Sequence, residues 1–575
     1  MTHNDLLAQL SGLHKRVVAG DERPQLASVS GVVTTSLPMI KYFDKSLTPF
    51  TMVTTKSFQI SPNPGNREPI ICEVESGSFG NSVGLRNQGM ESALEELRLL
   101  REHPMRTLLN ISLSASTIKD FVILAKAFEP LADILELNFS CPHAAEGYGS
   151  AIGCSAQISA AYVAAIREAL GECRPLIFPK LTPNVTNIGA IAQEVMAAGA
   201  DGLVAINTVG PEVHIEPISG LPILQNSLGG AGGKSGKWIY QEALKAVKAI
   251  RQAVGEEVPL IGMGGVSNGR DVAEMVLAGS DLVGIGSAFA KVHQREWPAY
   301  AEALVDDASA ILRGEERNNS AKYYSLKPSM EYKERKVIER QEFGSDTLVV
   351  TLEGNWPFEA GEYVFLWIPG VGEKPFSIAI DSPLTFVIKL KGAFTKALFN
   401  LKVGDSLFIR GLYGEPFTLP SYPKATLVAG GSGVAVVPPL AKRLTKEGVT
   451  LQTFVGISDE NQRDVLRDEI EKYGPLNIVA DQGEVGRVLS EVVRGAEVEG
   501  CSYYFIGPTP FMGRGAKELV ERGVSPRAIF LSLELPTLCG VGLCGQCSCG
   551  ERLTCQYGTF VSYHYVLEND EELLR

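Results

Sequence analysis

The chain has 575 residues, more than the roughly 250 to 300 at which a single hydrophobic core stops growing, so two or three structural units are expected. Its 45% apolar and 21% charged residues are typical of a globular protein, and its formal charge of −13 disfavours a nucleic-acid or membrane-surface partner. No apolar run approaches the roughly 20 residues of a membrane span, and the N-terminus lacks a signal-peptide pattern. We therefore expect a cytoplasmic protein.

The first half of the chain alternates short β-rich runs with segments that carry apolar residues at helical spacing. Strand followed by helix, repeated about eight times, is typical of a parallel (β/α)8 barrel of the TIM type. We assign this α/β barrel to residues 1–312, and the polar segment 313–329 to a linker. The predicted barrel strands are residues 26–32, 50–56, 107–115, 133–140, 175–182, 202–209, 258–265 and 282–289.

The second half of the chain has a different pattern. Short strands separated by Gly and Pro turns over residues 330–422 predict a small antiparallel β-barrel. Strands and helices alternate again over residues 423–530, which predicts a nucleotide-binding α/β sheet. Residues 531–575 hold five of the ten cysteines.

These crowded cysteines indicate a metal site. Cys539, Cys544 and Cys547 are separated by four and then two residues, the plant-type 2Fe-2S spacing, and Cys555 would be the fourth ligand. Zinc is the weaker alternative, because zinc sites prefer two separated cysteine pairs. Whether Cys549 ligates instead is left open by the sequence. The scattered cysteines of the first half indicate reduced thiols.

Polar residues and glycines stand at the predicted ends of the barrel strands, where barrels of this type hold their chemistry. Glycines after the last two strands allow backbone amides to approach a phosphate, and lysines beside a flavin ring would stabilise its negative charge on reduction. Taken singly, such glycines also fit an ordinary turn, and such lysines a solvated position. These residues are Lys56, Asn138, Cys141, His143, Lys180, Asn207, Thr208, Gly264, Gly265, Gly286 and Ser287, with GGKSG (232–236) predicted in the loop before the seventh strand.

Residues 25–290 resemble the dihydroorotate dehydrogenase barrel. The motifs that carry the resemblance are TTKS (54–57), PGNREP (64–69), NSVGLRN (81–87), NFSCP (138–142), KLTPNVT (180–186), INT (206–208), GGKSG and GMGG (262–265). The resemblance implies an FMN site formed by Lys56, Ser57, Lys180, Ser235, Gly236, Gly264, Gly265, Gly286 and Ser287. It implies a substrate site formed by Asn81, Val83, Gly84, Leu85, Asn138, His143, Asn207 and Thr208.

The resemblance also implies the catalytic residues. Oxidation of dihydroorotate removes a proton from C5 and a hydride from C6, and class 1 members use the cysteine at the Cys141 position as the base. A thiol with a pKa near ~8.5 serves once its neighbours lower that pKa. Lys56 would contact both flavin and substrate. The alternative for Cys141 is a buried, inert thiol.

One departure from the family pattern concerns the substrate. His143 stands where the family usually has asparagine, and NFSCPH with FPKLTPNVTNI equally resembles the dihydropyrimidine dehydrogenase barrel, whose enzymes reduce uracil or thymine with NAD(P)H. Those substrates lack the carboxylate that the NSVGLRN loop of the dihydroorotate family binds. The loop therefore favours dihydroorotate, with orotate as product.

Residues 330–575 resemble the electron-transfer subunit of the NAD-linked dihydroorotate dehydrogenases, a relative of ferredoxin reductases. The resemblance implies an FAD and nucleotide site at Lys374, Pro375, Phe376, Ser377, Gly392, Thr395, Gly430, Gly431 and Gly433. Lys374 replaces the family's arginine, which makes its phosphate contact a point charge. Asp459 and Glu460 favour NAD over NADP through a ribose contact, although a solvated loop fits them equally.

Both resemblances together imply a class 1B, NAD-dependent enzyme whose catalytic barrel and electron-transfer subunit are fused. Electrons would pass from dihydroorotate to FMN, the 2Fe-2S cluster, FAD and NAD, and the barrels would pair as a homodimer. The expected partners are the small-molecule substrate and NAD, without nucleic acid or membrane. An alternative of a different class is a non-catalytic flavoprotein that relays a redox signal.

Overall fold

The structure is a computed structural model that describes residues 2–139, 150–171, 175–324, 330–480 and 487–574. It divides into two compact units. Unit 1 comprises Met1–Lys327 and Gly542–Gln546, and unit 2 comprises Pro328–Val541 and Cys547–Arg575. Within the described ranges, every helix is too short or too polar to cross a membrane.

Unit 1 contains twelve strands and eleven α-helices among its described residues. The strands are β1 (Leu26–Ser28), β2 (Phe50–Thr54), β3 (Ile71–Glu75), β4 (Ser78–Asn81), β5 (Leu108–Leu113), β6 (Ile134–Asn138), β7 (Leu176–Leu181), β8 (Leu203–Ala205), β9 (Val209–Val213), β10 (Ala231–Gly236), β11 (Leu260–Met263) and β12 (Leu282–Ile285). The helices are α1 (His3–Leu10), α2 (Leu13–Ala19), α3 (Leu37–Ser46), α4 (Met90–Arg101), α5 (Ile118–Phe128), α6 (Ser150–Gly153), α7 (Ala156–Leu170), α8 (Ile188–Ala197), α9 (Tyr240–Val254), α10 (Gly269–Leu277) and α11 (Trp297–Leu312).

Eight parallel strands form a closed barrel in the order β1-β12-β11-β8-β7-β6-β5-β2. Each lies within one of the eight predicted runs, so the predicted TIM barrel is confirmed. The strands are almost entirely buried, as expected for a parallel sheet covered by helices. Their carboxyl ends bring Lys56, Asn138, Lys180 and Asn207 to one mouth of the barrel.

A second sheet of unit 1 was not predicted. It is antiparallel, has the order β3-β4-β10-β9, and pairs Asn81 with Gly233. The prediction that GGKSG lies in a loop is therefore wrong, because all five residues lie in β10. A glycine-rich run has little β propensity of its own, and its pairing with β4 supplies the order.

The predicted linker is partly packed on the barrel. Helix α11 ends at Leu312, and Ser320 is buried further along the chain. Its amide donates to Asp307 Oδ2 at 2.7 Å, and its hydroxyl accepts from the Gly269 amide at 3.0 Å. Hydrogen bonds at Ser320 thus attach the described part of segment 313–329 to Asp307 and Gly269.

Unit 2 contains fifteen strands and seven α-helices in its described part. The strands are β13 (Lys333–Phe343), β14 (Thr347–Leu352), β15 (Tyr363–Ile368), β16 (Gly372–Ser377), β17 (Ile380–Asp381), β18 (Leu384–Lys389), β19 (Ser406–Tyr413), β20 (Lys424–Gly430), β21 (Thr450–Ile457), β22 (Leu476–Ala480), β23 (Cys501–Ile506), β24 (Ile529–Ser532), β25 (Ser548–Cys549), β26 (Arg552–Leu553) and β27 (Phe560–Ser562). The helices are α12 (Ala393–Phe399), α13 (Val437–Lys446), α14 (Arg467–Glu471), α15 (Arg487–Arg494), α16 (Thr509–Glu521), α17 (Thr554–Tyr557) and α18 (Tyr563–Asn569).

Two large sheets organise unit 2. Seven antiparallel strands have the order β16-β15-β19-β13-β14-β18-β17 and enclose an apolar core that includes Trp356. The predicted antiparallel strands are present, but their hydrogen-bonded order is open rather than closed. The second sheet, β22-β21-β20-β23-β24-β27, is parallel except for β27, as predicted for a nucleotide-binding sheet.

Candidate functional site

Three predicted polar residues meet at the barrel mouth. Asn138 Nδ2 donates to the Ser57 hydroxyl at 3.0 Å, and Asn207 Nδ2 donates to Asn138 Oδ1 at 3.3 Å. The Ser57 hydroxyl also contacts those of Ser30 (3.2 Å) and Ser112 (2.9 Å). Strands β2, β6 and β8 thus deliver a connected set of amide and hydroxyl groups.

Lys56 follows β2 and is only 8% exposed. Burial lowers the pKa of its ammonium group to about 8, against the opposing effect of the Cys544 charge, while Arg86 lowers this pKa further. Because charge is disfavoured in a buried site, Lys56 is close to titration at neutral pH. The Arg86 charge lies within electrostatic range of Lys56 and is itself 3.8 Å from a Glu68 carboxylate oxygen.

Glu136 was missed by the sequence reasoning, although a carboxylate inside the apolar strand DILEL was a visible signal. It is fully buried, accepts from the Ser112 hydroxyl at 2.9 Å, and lies 3.7 Å from Lys180 Nζ. Lys180 is 5% exposed. A buried carboxylate and a buried ammonium group stabilise each other, because burial of either charge without the other would carry a large desolvation cost. Glu136 therefore fixes the position of Lys180.

The loop after β4 has an unusual backbone. Gly84 (φ 74°) and Leu85 (φ 55°) are consecutive residues in the left-handed region, which a leucine rarely adopts. The loop is braced by Asn66, whose amide donates to Val83 O at 3.0 Å, and by paired backbone bonds between Asn63 and Asn87. Strained backbone of this kind concentrates at binding sites.

The other predicted residues of unit 1 cluster around β10. Asn81 Nδ2 donates to Gly233 O (3.0 Å) and to the Ser235 hydroxyl (3.2 Å). Gly265 approaches Gly236 so closely that a Cβ on Gly265 would lie 2.6 Å from Gly236 O. The structure thus joins Asn81, Ser235, Gly236 and Gly265, which are far apart in the sequence.

The remaining strand ends carry predicted residues as well. The Thr208 amide donates to Asn207 Oδ1 at 2.8 Å, and its carbonyl accepts from Asn184 Nδ2 at 3.2 Å. Gly264 has a φ of 131° directly after β11. Gly286 follows β12, and Ser287 begins a short 3-10 helix. Cys141 and His143 lie outside the described residues.

The segment Gly542–Gln546 of the cysteine-rich region belongs to unit 1. The Thr35 hydroxyl donates to Cys544 O at 2.7 Å, and the Val33 amide donates to Leu543 O at 2.8 Å. Cys544 also contributes to the electrostatic environment of Lys56. One predicted metal ligand is therefore within electrostatic range of the predicted flavin lysine.

In unit 2, the two predicted FAD motifs approach each other. KPFS (374–377) lies in β16, and GAFT (392–395) begins α12, with the rings of Phe376 and Phe394 6.2 Å apart. The Thr395 hydroxyl accepts from the amides of Lys391 (2.9 Å) and Gly392 (3.0 Å), which caps the helix. Lys374 is exposed, and Pro375 and Ser377 are half-buried.

The predicted glycine turn follows β20. A Cβ on Gly433 would lie 2.4 Å from Ile506 O, so helix and sheet pack closely there, and Gly431 has a φ of 58°. Gly430 faces the Phe511 ring of the segment GPTPFM (507–512), which follows β23, the parallel neighbour of β20. The structure thus brings these two motifs together.

Asp459 and Glu460 already have local partners. Asp459 Oδ1 accepts from the Asn461 amide at 2.9 Å, and Glu460 pairs with Arg463 at 2.8 Å. Both residues lie at an exposed turn after β21. Their contacts fit the alternative of a solvated loop at least as well as a ribose contact.

Three of the four predicted metal ligands gather in unit 2. Hydrogen bonds from Cys539 and Cys547 are the main causes, ahead of burial, that raise the pKa of the Cys555 thiol well above its ordinary value. All three residues are buried. Cysteine thiolates are typical ligands of soft metal ions, but among the described residues no group of three or more His, Cys, Asp or Glu side chains is arranged to hold a metal ion.

Cys549 is separate from this group. It is fully buried in an apolar core with Val561 and Val566. Burial, and then the charge of Asp570, raises the pKa of its thiol to about 12, which is typical of an inert cysteine. The structure therefore favours Cys555 over Cys549 as the companion of Cys539 and Cys547.

Comparison with known proteins places the barrel in a family. The family model described as dihydroorotate dehydrogenase matches residues 23–302. The catalytic subunit of dihydroorotate dehydrogenase B (NAD(+)) from Methanocaldococcus jannaschii is 43% identical over 266 residues, which cover 46% of this chain and 82% of the relative. The chain belongs to the dihydroorotate dehydrogenase family.

Relatives within the dihydroorotate dehydrogenase family differ in their named acceptor. Dihydroorotate dehydrogenase A (fumarate) from Lacticaseibacillus paracasei is 38% identical over 239 residues, covering 41% of this chain and 78% of the relative. A solved structure of DHODH from Eimeria tenella is 20% identical to this chain. The match covers 52% of this chain and 82% of the solved chain, and its TM-score of 0.43 is too low to establish a shared fold. The barrel alone therefore leaves the electron acceptor undecided.

Proposed function

We propose that this chain is an NAD-dependent dihydroorotate dehydrogenase in which the catalytic barrel and the electron-transfer module form one polypeptide. The relative from M. jannaschii is named as a catalytic subunit and covers 46% of this chain. The proposed modules are an FMN barrel (1–312), a linker (313–329), an FAD-binding β domain (330–422), an NAD-binding domain (423–530) and a 2Fe-2S segment (531–575).

The observation that carries the proposal is the position of Cys544. This cysteine belongs to the metal-binding pattern, yet its segment packs within the barrel unit on Val33 and Thr35. Cys544 also acts electrostatically on Lys56, the lysine proposed to touch the flavin. An electron carrier bound to Cys544 would lie beside the barrel mouth, which is what oxidation of a barrel-bound substrate by NAD requires.

The residues at the barrel mouth fit a flavin mononucleotide. Lys56 and Lys180 are buried cations beside paired hydroxyl and amide groups, and Gly236, Gly264 and Gly265 permit a close backbone approach. Ser57, Ser235, Gly286 and Ser287 complete the proposed set. When bound, FMN accepts a hydride from dihydroorotate, the cluster exchanges single electrons, and FAD passes the electron pair to NAD.

The substrate assignment rests on charge and on amide geometry. Asn138 and Asn207 present carboxamides to a pyrimidine ring, with Asn81 and Thr208 near them. The strained loop Val83–Leu85 would direct its amides at the carboxylate of dihydroorotate. The positive charges of Lys56 and Arg86 favour this anion over uracil, which lacks the carboxylate.

Cys141 is proposed as the base that removes the C5 proton of dihydroorotate, and His143 as a contact to its ring. In unit 2, Lys374, Pro375, Phe376, Ser377, Gly392 and Thr395 are proposed to hold FAD. Gly430, Gly431 and Gly433 are proposed to line the NAD site. The near approach of KPFS to GAFT supports the FAD assignment, since both motifs must reach one cofactor.

The proposed 2Fe-2S cluster would be held by Cys539, Cys544, Cys547 and Cys555. Three buried thiols in mutual contact fit this donor set. Among the described residues, no group of three or more His, Cys, Asp or Glu side chains is arranged to hold a single metal ion. A two-iron cluster does not need such an arrangement, because its thiolates bind two different iron atoms.

Pairing of two barrels is supported by an apolar surface on unit 1. Five large apolar side chains of β9 and the following segment are exposed, and exposed apolar patches mark interaction sites. They are Val213 (42%), Ile215 (49%), Ile218 (61%), Leu221 (43%) and Leu228 (46%). We propose that this surface is covered in a homodimer.

A visible spectrum recorded without oxygen tests the assigned substrate. Dihydroorotate is expected to bleach the flavin absorbance of the purified protein, whereas dihydrouracil at the same concentration leaves it unchanged. Bleaching by dihydrouracil alone would favour a dihydropyrimidine dehydrogenase. A purified protein that contains no flavin, or whose flavin no pyrimidine reduces, would favour a non-catalytic role.

Lys56 gives a prediction about pH. Because its pKa is lowered to about 8, its positive charge is lost as pH rises from 7 to 9, while the carboxylate of orotate stays charged. Orotate binding, measured from the flavin spectrum, is expected to weaken over this interval. Lys56→Met should bind orotate weakly and without this pH dependence. Lys234→Met, which removes a more exposed lysine paired with Glu212 at 3.1 Å, should keep the wild-type profile.

The close approach of Gly265 to Gly236 gives a prediction about flavin content. Gly265→Ala combines a φ of 74° with a Cβ 2.6 Å from Gly236 O, so we expect a loss of about 1–3 kcal/mol in stability and a lower FMN content. Gly255→Ala is the matched control, since its φ is 82° with no atom within 4 Å of the added Cβ. Equal FMN content and equal melting temperatures in both variants would contradict the role of this contact.

A further inference from the structure

The Tyr363 hydroxyl is a buried polar group whose partner is missing. Tyr363 is 4% exposed, and no hydrogen-bond partner for its Oη is found in the part of the chain that the structure describes. Nearby Tyr413 differs, because its hydroxyl accepts from Arg410 Nη1 at 2.6 Å. Buried hydroxyls are normally hydrogen-bonded, so an orphaned one points to an absent ligand or ion.

The position of Tyr363 indicates where that ligand lies. Tyr363 begins β15 and aligns with Tyr413 of β19, with ring centroids 5.9 Å apart. The residue after Tyr413, Gly414, donates its amide to Cys555 O at 2.9 Å. Arg410 of the same strand donates to Cys539 O at 3.1 Å. The strand pair that carries Tyr363 therefore holds the backbone of two proposed cluster ligands.

The electrostatics of unit 2 agree with this placement. Burial is the main cause that raises the pKa of Tyr363 well above its ordinary value, followed by the charges of Cys555, Cys547 and Cys539 in that order. These are the three thiols that gather in unit 2. The Tyr363 hydroxyl is thus close enough to interact electrostatically with all three thiols, and it donates no hydrogen bond to any described residue.

We propose that the Tyr363 hydroxyl donates a hydrogen bond to a sulfur atom of the 2Fe-2S cluster and raises the reduction potential of the cluster. The inference rests on the proposed cluster. Reduction adds negative charge to the cluster, and a donor aimed at a sulfur stabilises that charge. Tyr363 is a tuning residue: it forms no bond to iron and takes no part in the chemistry at the substrate.

The test is a redox titration of the full-length protein followed by EPR. Tyr363→Phe is expected to contain as much iron as the wild type but to have a lower cluster midpoint potential. Tyr504→Phe is the matched control, because it also removes the hydroxyl of a buried tyrosine in unit 2. The thiol that influences Tyr504 is Cys501, not a cluster cysteine. Its cluster potential should equal that of the wild type.

A second variant keeps the inference testable if Tyr363→Phe does not fold. Incorporation of 3-fluorotyrosine at position 363 keeps the ring and strengthens the hydroxyl as a donor, so the cluster potential should rise. An unchanged potential in either iron-loaded variant overturns the inference while leaving the proposed function intact. A wild-type protein without iron or without a 2Fe-2S EPR signal overturns both.

Discussion

Cys141→Ala is expected to lower the rate of dihydroorotate oxidation by about 100- to 10,000-fold, the usual contribution of a general base. Without the Cys141 thiol, the C5 proton of dihydroorotate loses its proposed acceptor. On the proposed electron path, reduction of an artificial dye by NADH needs only the second half of the chain, so it should proceed at the wild-type rate. Stopped-flow measurement of flavin reduction, with the dye assay beside it, gives both values.

The matched control for this substitution is Cys154→Ala, which removes an exposed thiol from the same barrel unit. It should oxidise dihydroorotate at the wild-type rate. Serine at position 141 should restore part of the lost rate, because it returns an ionisable group, although one with a higher pKa. If Cys141→Ala reduces its flavin as fast as the wild type, another residue is the base.

Arg410→Met should destabilise unit 2 by about 3–5 kcal/mol, the usual cost of breaking a buried ion pair. Arg410 and Glu373 are both fully buried, with Nη2 to Oε1 at 2.6 Å and Nε to Oε2 at 2.8 Å. Tyr332 donates to the same carboxylate at 2.6 Å. Removal of the guanidinium leaves the Glu373 charge buried without its counter-charge, and Cys539 O loses its donor.

Thermal unfolding and iron content together measure this effect. The double variant Arg410→Met with Glu373→Leu should recover most of the stability, because no unpaired charge remains, but not the bond to Cys539 O. Arg514→Met is the control: its pair with Glu518 has a similar 2.8 Å distance but is half exposed, so its loss should cost at most about 1 kcal/mol. A loss of similar size in both single variants would contradict the importance of burial.

The barrel was predictable from the sequence because short β-rich runs alternate regularly with segments of helical apolar spacing. The predicted runs 107–115 and 282–289 contain β5 and β12, and every residue of these two strands is buried. The antiparallel sheet of unit 1 was not predictable, because β4 and β10 are about 150 residues apart and half of the residues in β10 are glycine. The extended conformation of β10 comes from its pairing with β4 and not from the β propensity of its own residues.

The candidate site also contains residues that local sequence predicts and residues that depend on long-range pairing. Strand-end residues such as Lys56 and Asn207 follow from position alone, whereas the Glu136–Lys180 pair and the orphaned Tyr363 hydroxyl depend on which strands become neighbours. Cysteine spacing selected Cys539, Cys544, Cys547 and Cys555 as ligands but left open whether Cys549 ligates instead. Only the fold shows that Cys549 packs in an apolar core.

The most direct test of the account is a single reaction that contains the purified chain, dihydroorotate and NAD, without oxygen or any second protein. The account predicts that NADH and orotate form in equal amounts, at a rate per chain that does not fall on dilution. Orotate formation that requires an artificial dye, with no NADH produced, would contradict the proposal that one polypeptide carries the whole path.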